Sequence, residues 1–299
     1  MERRGRYYLG RVIKLGTLDQ TRLMDAIANA TTLTIGKFAW TITNVVDKRS
    51  ESPAFVFGHL AKFSAEGRVT VVDTATRSEV DAMAPNLLVA SAPFVYLPEF
   101  SGIAYLHVWN GIQEELFSRR FKTIIEATYQ KFFVDCSIEP VADYREFTSK
   151  LRGIERFTEL SAKVFPPNPL FGRFWDSLRR YMRERNASEI SLSESQEGQQ
   201  GLKTEIVRLL DQILKDPQIE PSKSPDITDA ALLMAADGYG VGKVVGIQDG
   251  NEIVIRTSDT QKSFLFSKEP VPEELAAETE RRFRQISIER NMQHDEKDR

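Results

Sequence analysis

The sequence predicts an α+β protein, with mixed or antiparallel sheets packed by helices and a small C-terminal β-hairpin unit. Short stretches alternate apolar and polar residues, the period of a half-buried strand. Longer stretches repeat apolar residues three and four apart, the period of a helix. Turn residues separate the two kinds at the short intervals of a compact protein.

Residues 7–15 read as a first strand, opening Tyr7-Tyr8-Leu9-Gly10-Arg11. Residues 19–31 read as a helix with Leu23, Ile27 and Ala30 on one side. Residues 37–46 alternate, so that Phe38, Trp40, Ile42 and Val46 share a face that is apolar except at Asn44. Two more strands, 54–63 and 68–73, flank the turn residues Glu66 and Gly67. Residues 93–97 and 103–109 form a hairpin around 98–102. A long helix over 113–132 is expected from Phe117, Phe121, Ile124, Ile125, Thr128 and Phe132 at helical spacing.

Strand and helix then alternate: strand 134–141, helix 143–152, strand 154–165, helix 169–185, strand 188–193 and helix 202–215. Residues 216–226 hold Pro217, Pro221 and Pro225 and read as a linker. Beyond it lie a helix over 227–236 and a hairpin of 239–248 with 252–257. Asp249-Gly250 suits the tight turn between those strands. A helix over 272–290 and a charged, frayed tail after Asn291 complete the chain. The pattern suggests three regions: a β-rich one over 1–110, an alternating one over 111–216 and a small unit over 226–290.

The chain has 299 residues, room for about two domains. Its one cysteine, Cys136, excludes an intramolecular disulfide and any C-x-x-C pair, and fits a reducing compartment. No long apolar run follows the basic N-terminus, so neither signal peptide nor membrane span is expected, and the cytoplasm is the expected location. A net charge of −3 argues against a globally basic nucleic-acid binder. Cations are unevenly placed, however. Residues 1–50 carry nine Lys/Arg against four Asp/Glu, and residues 151–190 carry eight against five.

No cofactor or catalytic signature is complete. In Gly238-Tyr239-Gly240-Val241-Gly242-Lys243, a phosphate loop fails because Asp237 stands where its first glycine belongs and Val244 follows the lysine. Lys243 also replaces the third glycine of a dinucleotide fingerprint. The glycines read instead as a helix cap and a turn. His59 and His107 fall on aromatic strand faces and read as half-buried, hydrogen-bonded side chains, while His294 lies in the tail. No Cys/His cluster supports zinc. Asp135 and Glu139 share a strand face but lack the acid-x-lysine strand of a restriction-type nuclease. Trp40, Trp109 and Trp175 sit on the apolar sides of their elements and read as core. No catalytic residue, cofactor or metal ligand is nominated, and the balance leans away from an enzyme.

Arginine clusters are the best lead. Around Phe171, Phe174, Trp175, Leu178 and Met182, an apolar stripe, project Arg173, Arg179, Arg180 and Arg183. Guanidiniums held on an anchored helix suit phosphate oxygens. Arg119, Arg120 and Lys122 form a second cluster; Arg3, Arg4 and Arg6, with Arg11 and Lys14, form a third. A solvated helix face balanced by Asp176 and Glu184 is the competing account.

The Tyr7–Arg11 opening strand, β-meander, helix–strand alternation and terminal β unit resemble, in size and element order, the phage-exclusion and anti-phage DNA-binding proteins of prokaryotes such as phage lambda Rex A. The resemblance implies DNA binding in defence with a partner protein, and carries over no residue roles. The expected function is thus non-enzymatic DNA binding through the arginine clusters. The alternatives are a protein-interaction subunit, with another protein or a second copy as partner, and a divergent metal-dependent nuclease.

Overall fold

The computed structural model describes residues 3–294 apart from Asn168 and Ser222. Its folded order begins with strand β1 (Arg4–Gly16), helix α1 (Gln20–Ala28) and strands β2 (Leu33–Ile35), β3 (Phe38–Lys48) and β4 (Phe55–Ser64). A hairpin of β5 (Arg68–Asp73) and β6 (Ser78–Met83) leads into β7 (Leu87–Leu97) and β8 (Gly102–Leu106). Then come α2 (Glu114–Thr128), β9 (Val134–Pro140), α3 (Tyr144–Leu151), β10 (Arg156–Val164), β11 (Leu170–Gly172), α4 (Asp176–Arg185), β12 (Ile190–Ser195) and α5 (Ile206–Lys215). The chain continues with α6 (Ile227–Met234), β13 (Gly240–Gln248), β14 (Asn251–Arg256), β15 (Ser263–Ser267), α7 (Pro272–Glu289) and β16 (Met292–His294). All strand pairs are antiparallel, and the α+β class holds. Among the described residues, no helix is long and apolar enough to cross a membrane.

β1 organises the larger sheet, whose order is β15-β1-β8-β7-β4-β3-β2. One edge of β1 pairs with β8, while the other takes β15 along Arg4–Tyr8 and β9 along Gly10–Gly16. One face of this sheet carries α1 and α2 over Trp40, Ile42, Leu60, Phe94 and Tyr105. The other face packs Leu9, Phe57, Val95 and Leu97 against Leu275, Phe283 and Ile286 of α7. A second sheet, β12-β10-β13-β14, shares a core with α3, α4, α5 and α6. Strand pairing therefore crosses the compositional limits at 110 and 216: β13 pairs with β10, and β15 with β1.

The structure departs from the sequence expectations where partners are distant. Residues 170–172 are not helical. They pair with β16, from the stretch expected to fray, and the helix begins only at Asp176. Residues 295–299 of that expected tail lie outside the described residues. The face shared by Trp40, Ile42 and Val46 is broken by a bulge between Thr43 and Val46, with Asn44 at a φ of 52°. An extra residue reverses the alternation, so Val46 packs on the α7 side while Trp40 packs on the α2 side. The 113–132 helix stops at Thr128, and Phe132 and Phe133 are exposed. β6 and β15 lack clear alternation and escape detection in the sequence.

Candidate functional site

Helix α4 is seated from beneath. Leu178 and Met182 are buried on its inner face, and Phe174 and Trp175 are buried in the turn before it. Trp175 Nε1 donates to Asp237 Oδ2 at 2.8 Å, fixing the point where the helix begins. The arginines are treated unequally by this placement. Arg179 stacks on the Phe171 ring at 3.7 Å and pairs with Asp176 at 2.6 Å, leaving its side chain only 12% exposed. Arg173 pairs with Glu220 at 2.9 Å. Arg180 shares Asp176 at 3.2 Å but is 65% exposed. Arg183 is exposed on the last turn with Arg185, which lies over the Tyr181 ring. Cations there also complement the negative end of the helix dipole, a purely structural benefit.

The second cluster divides further. Arg119 is exposed. Arg120 lies 5.2 Å from the Trp40 ring centroid, and its Nε is buried without a hydrogen-bond partner. Lys122 is drawn to Asp135 at 2.5 Å and Glu126 at 3.4 Å. Lys62, outside the three clusters, approaches the same Trp40 from β4, at 5.7 Å. Cross-strand pairing of Trp40 with Lys62 explains the meeting, and that register is invisible in the sequence.

In the third cluster Arg3, Arg4 and Arg6 are exposed, with Arg6 reaching Ser263 Oγ at 3.2 Å. Arg11 and Lys14 do not belong with them. Arg11 is fully buried, donating to the carbonyls of Asp237 (2.8 Å) and Phe100 (2.6 Å). Lys14 donates to Ser101 Oγ at 2.7 Å, and burial lowers its ammonium from 10.5 to about 8. Between those values the unfolded chain holds the proton more tightly, so this group makes stability rise with pH. Burial raises the Cys136 thiol and acts oppositely above its ordinary 9.0. Comparison with Lys14→Met isolates the lysine. The variant's stability relative to wild type, from urea midpoints, should fall between pH of about 7 and about 9.5. A constant difference would contradict the shift.

Asp237, noted in the sequence only for spoiling a phosphate loop, is the centre of a buried polar network. Its Oδ1 accepts from Tyr144 and Arg290, both at 2.7 Å. Arg290 also donates to the carbonyls of Ala142 and Ala236 and covers the Tyr144 ring at 4.0 Å. Gly238 follows at a φ of 88°, and a Cβ on Gly240 would lie 2.0 Å from the Lys163 carbonyl oxygen. These glycines let the chain leave the end of α6 and enter β13 against β10.

The remaining candidates have assigned surroundings. Trp40 and Trp175 are buried, but Trp109 is 78% exposed, because β8 ends at Leu106 and the residue falls in the loop. His59 Nδ1 lies 3.0 Å from Ser91 Oγ, and burial lowers its pKa. His107 Nδ1 lies 2.9 Å from a Glu114 oxygen but outside hydrogen-bonding geometry, and its Nε2 has no partner. Both histidines line one cavity of about 340 Å³ with Trp109. Asp135 is taken up by Lys122, whereas Glu139 turns into a separate cleft. Among the described residues, no three His, Cys, Asp or Glu side chains are grouped to hold a metal.

The family model of a domain of unknown function, DUF4747, matches residues 21–215. The chain belongs to the DUF4747 family. The DUF4747 match runs from α1 through α5, so it contains Arg119, Arg120, Lys122 and the arginines of α4. Arg3, Arg4, Arg6, Asp237 and Arg290 lie outside it. No curated protein matches the chain.

Proposed function

We propose that this chain is a non-enzymatic DNA-binding protein that contacts phosphates through α4. The observation that carries the reading is a helix anchored by Trp175, Leu178 and Met182, with Arg180, Arg183 and Arg185 on its exposed side. Residues 173–185 hold five arginines and two acids, Asp176 and Glu184. Such contacts position a protein on a duplex without reading its sequence. Arg119 and the Arg3, Arg4 and Arg6 group are secondary contacts in this reading. The resemblance to phage-exclusion proteins supplies an anti-phage context.

Anisotropy of a labelled duplex, titrated across salt, tests it. Each phosphate contact contributes about −0.9 to the slope of log affinity against log salt. Glutamine at 180, 183 and 185 should weaken binding at least roughly tenfold and reduce the slope by about 2 to 3. No binding at low salt, or binding indifferent to the three substitutions, refutes the proposal.

An interaction subunit is the second reading. It is favoured by the β5–β6 hairpin, which among the described residues pairs with no other strand and exposes Val71, Val72, Val80 and Met83. Exposed apolar surface of this kind marks protein contacts. A stoichiometric protein partner co-purifying without nucleic acid would favour it over DNA binding.

A further inference from the structure

Below the first turn of α2, the structure holds an open cleft of about 760 Å³, lined also by β1, β9, α3, β13 and the turn between β14 and β15. That volume falls in the range of small-ligand sites. Its walls carry Glu114, Glu115, Glu139, Glu146 and Asp259 against one cation, Arg6. The other carboxylates are exposed or have company. Glu146 pairs with Lys150 at 3.3 Å, Asp259 accepts from the Arg256 backbone at 2.8 Å, and Glu114 stands beside His107.

Glu139 differs. It is only 8% exposed, yet it lines the cleft, and among the described residues no hydrogen bond of good geometry or ion pair reaches its carboxylate. The nearby Ser137 hydroxyl makes no hydrogen bond of good geometry either. A largely buried carboxylate with no ion-pair partner is unfavourable unless solvent, a cation or a donor reaches it. Burial raises its pKa accordingly, with Ser137 and the charges of Lys163 and Lys122 pulling the other way.

The floor beside it is aromatic and rigid. Tyr8 and Tyr105 lie with ring centroids 6.4 Å apart. Gln261 donates to the Tyr105 hydroxyl at 3.2 Å and to the Leu9 carbonyl at 2.9 Å, which pins the ring. Tyrosine faces attract organic cations, and a buried carboxylate completes such a site. The excess of carboxylates repels phosphate, so this site is distinct from the α4 surface. No three metal-ligating side chains are grouped here among the described residues, which favours an organic cation over a metal ion.

We propose that the cleft binds a primary ammonium or guanidinium group, its charge against Glu139 and its carbon stem along the half-buried Tyr8. Two sources share this chemistry: a free polyamine, and a lysine or arginine side chain of a partner peptide.

Calorimetry with spermidine, and anisotropy with a labelled Lys/Arg-rich peptide, distinguish the sources on the full-length protein. Saturable one-to-one binding of either ligand is expected. Glu139→Gln should weaken it roughly tenfold or more, the scale of a lost charged hydrogen bond. Ser258→Arg, which adds a cation at the exposed rim of the cleft, should do the same. Binding by spermidine alone assigns a small-molecule site, and binding by the peptide alone assigns a protein partner. If neither ligand binds at millimolar concentration, or if binding survives Glu139→Gln in folded protein, the proposal is overturned. Should Glu139→Gln fail to fold, survival of binding in Ser258→Arg overturns it alone.

Discussion

Asp237→Ala should lower the free energy of unfolding by about 3–5 kcal/mol, the cost of breaking a buried ion pair from one side. The carboxylate accepts from Tyr144, Arg290 and Trp175 at 2.7, 2.7 and 2.8 Å, and all three side chains are buried. Alanine leaves the Arg290 charge without its counter-ion in an interior where water cannot replace it. Burial and the Asp237 charge also hold the Tyr144 hydroxyl well above its ordinary pKa, so the phenol remains a donor. The loss is a large fraction of the stability of an ordinary domain, about 5–15 kcal/mol. Urea unfolding of Asp237→Ala checks the figure, and a loss below about 1 kcal/mol would refute the network's importance. Arg290→Met in the same chain should recover part of the loss, because it removes the stranded charge. The network joins β1 through Arg11, α3 through Tyr144, the turn before α4 through Trp175 and the end of α7 through Arg290. If α4 binds DNA as proposed, the DNA affinity of Asp237→Ala should fall with the seating of that helix.

Phe117→Ala should cost about 3–5 kcal/mol, as deletion of a buried aromatic ring generally does. Phe117 is fully buried and stacks on Tyr105 with centroids 4.3 Å apart and planes 9° apart. Phe94 meets it edge-on at 5.8 Å, and Phe121 lies at 6.0 Å. The lost ring leaves a cavity that neighbours in a twisted sheet and a fixed helix fill poorly. The denaturant midpoint should drop with little change in slope. Phe117→Leu should cost clearly less, since it restores most of the volume. Both variants act on the first turns of α2, which supply Gln113, Glu114 and Ser118 to the acidic cleft. Cation binding should thus weaken in Phe117→Ala and recover in Phe117→Leu.

Most long elements were legible because their signals are local. The 113–132 helix pattern yields α2, with Phe117, Phe121, Ile124 and Ile125 buried as its spacing implies. Asp249-Gly250 does turn β13 into β14. The apolar stripe of Phe174, Trp175, Leu178 and Met182 is buried, leaving arginines outside. Charge roles were less legible. Arg4, Arg6 and Arg11 lie on one strand, yet only Arg11 is buried, because Gly238, Tyr239 and Phe283 close over that position from distant parts of the chain. Trp109 has the alternation of a core residue but lies past the last paired residue of β8.

By itself the sequence determined the α+β class, the amphipathic faces of the major helices and the concentration of arginines around α4. Those properties depend on residue spacing over one or two turns of helix or a few steps of strand. Only the tertiary structure decided which charges remain available. It placed Asp237 between two arginines, spent Arg179 and Lys122 on nearby acids, and turned Glu139 into a cleft. The physical reason is that a charge's role depends on burial and on its nearest counter-charge, and strands far apart in the chain supply both.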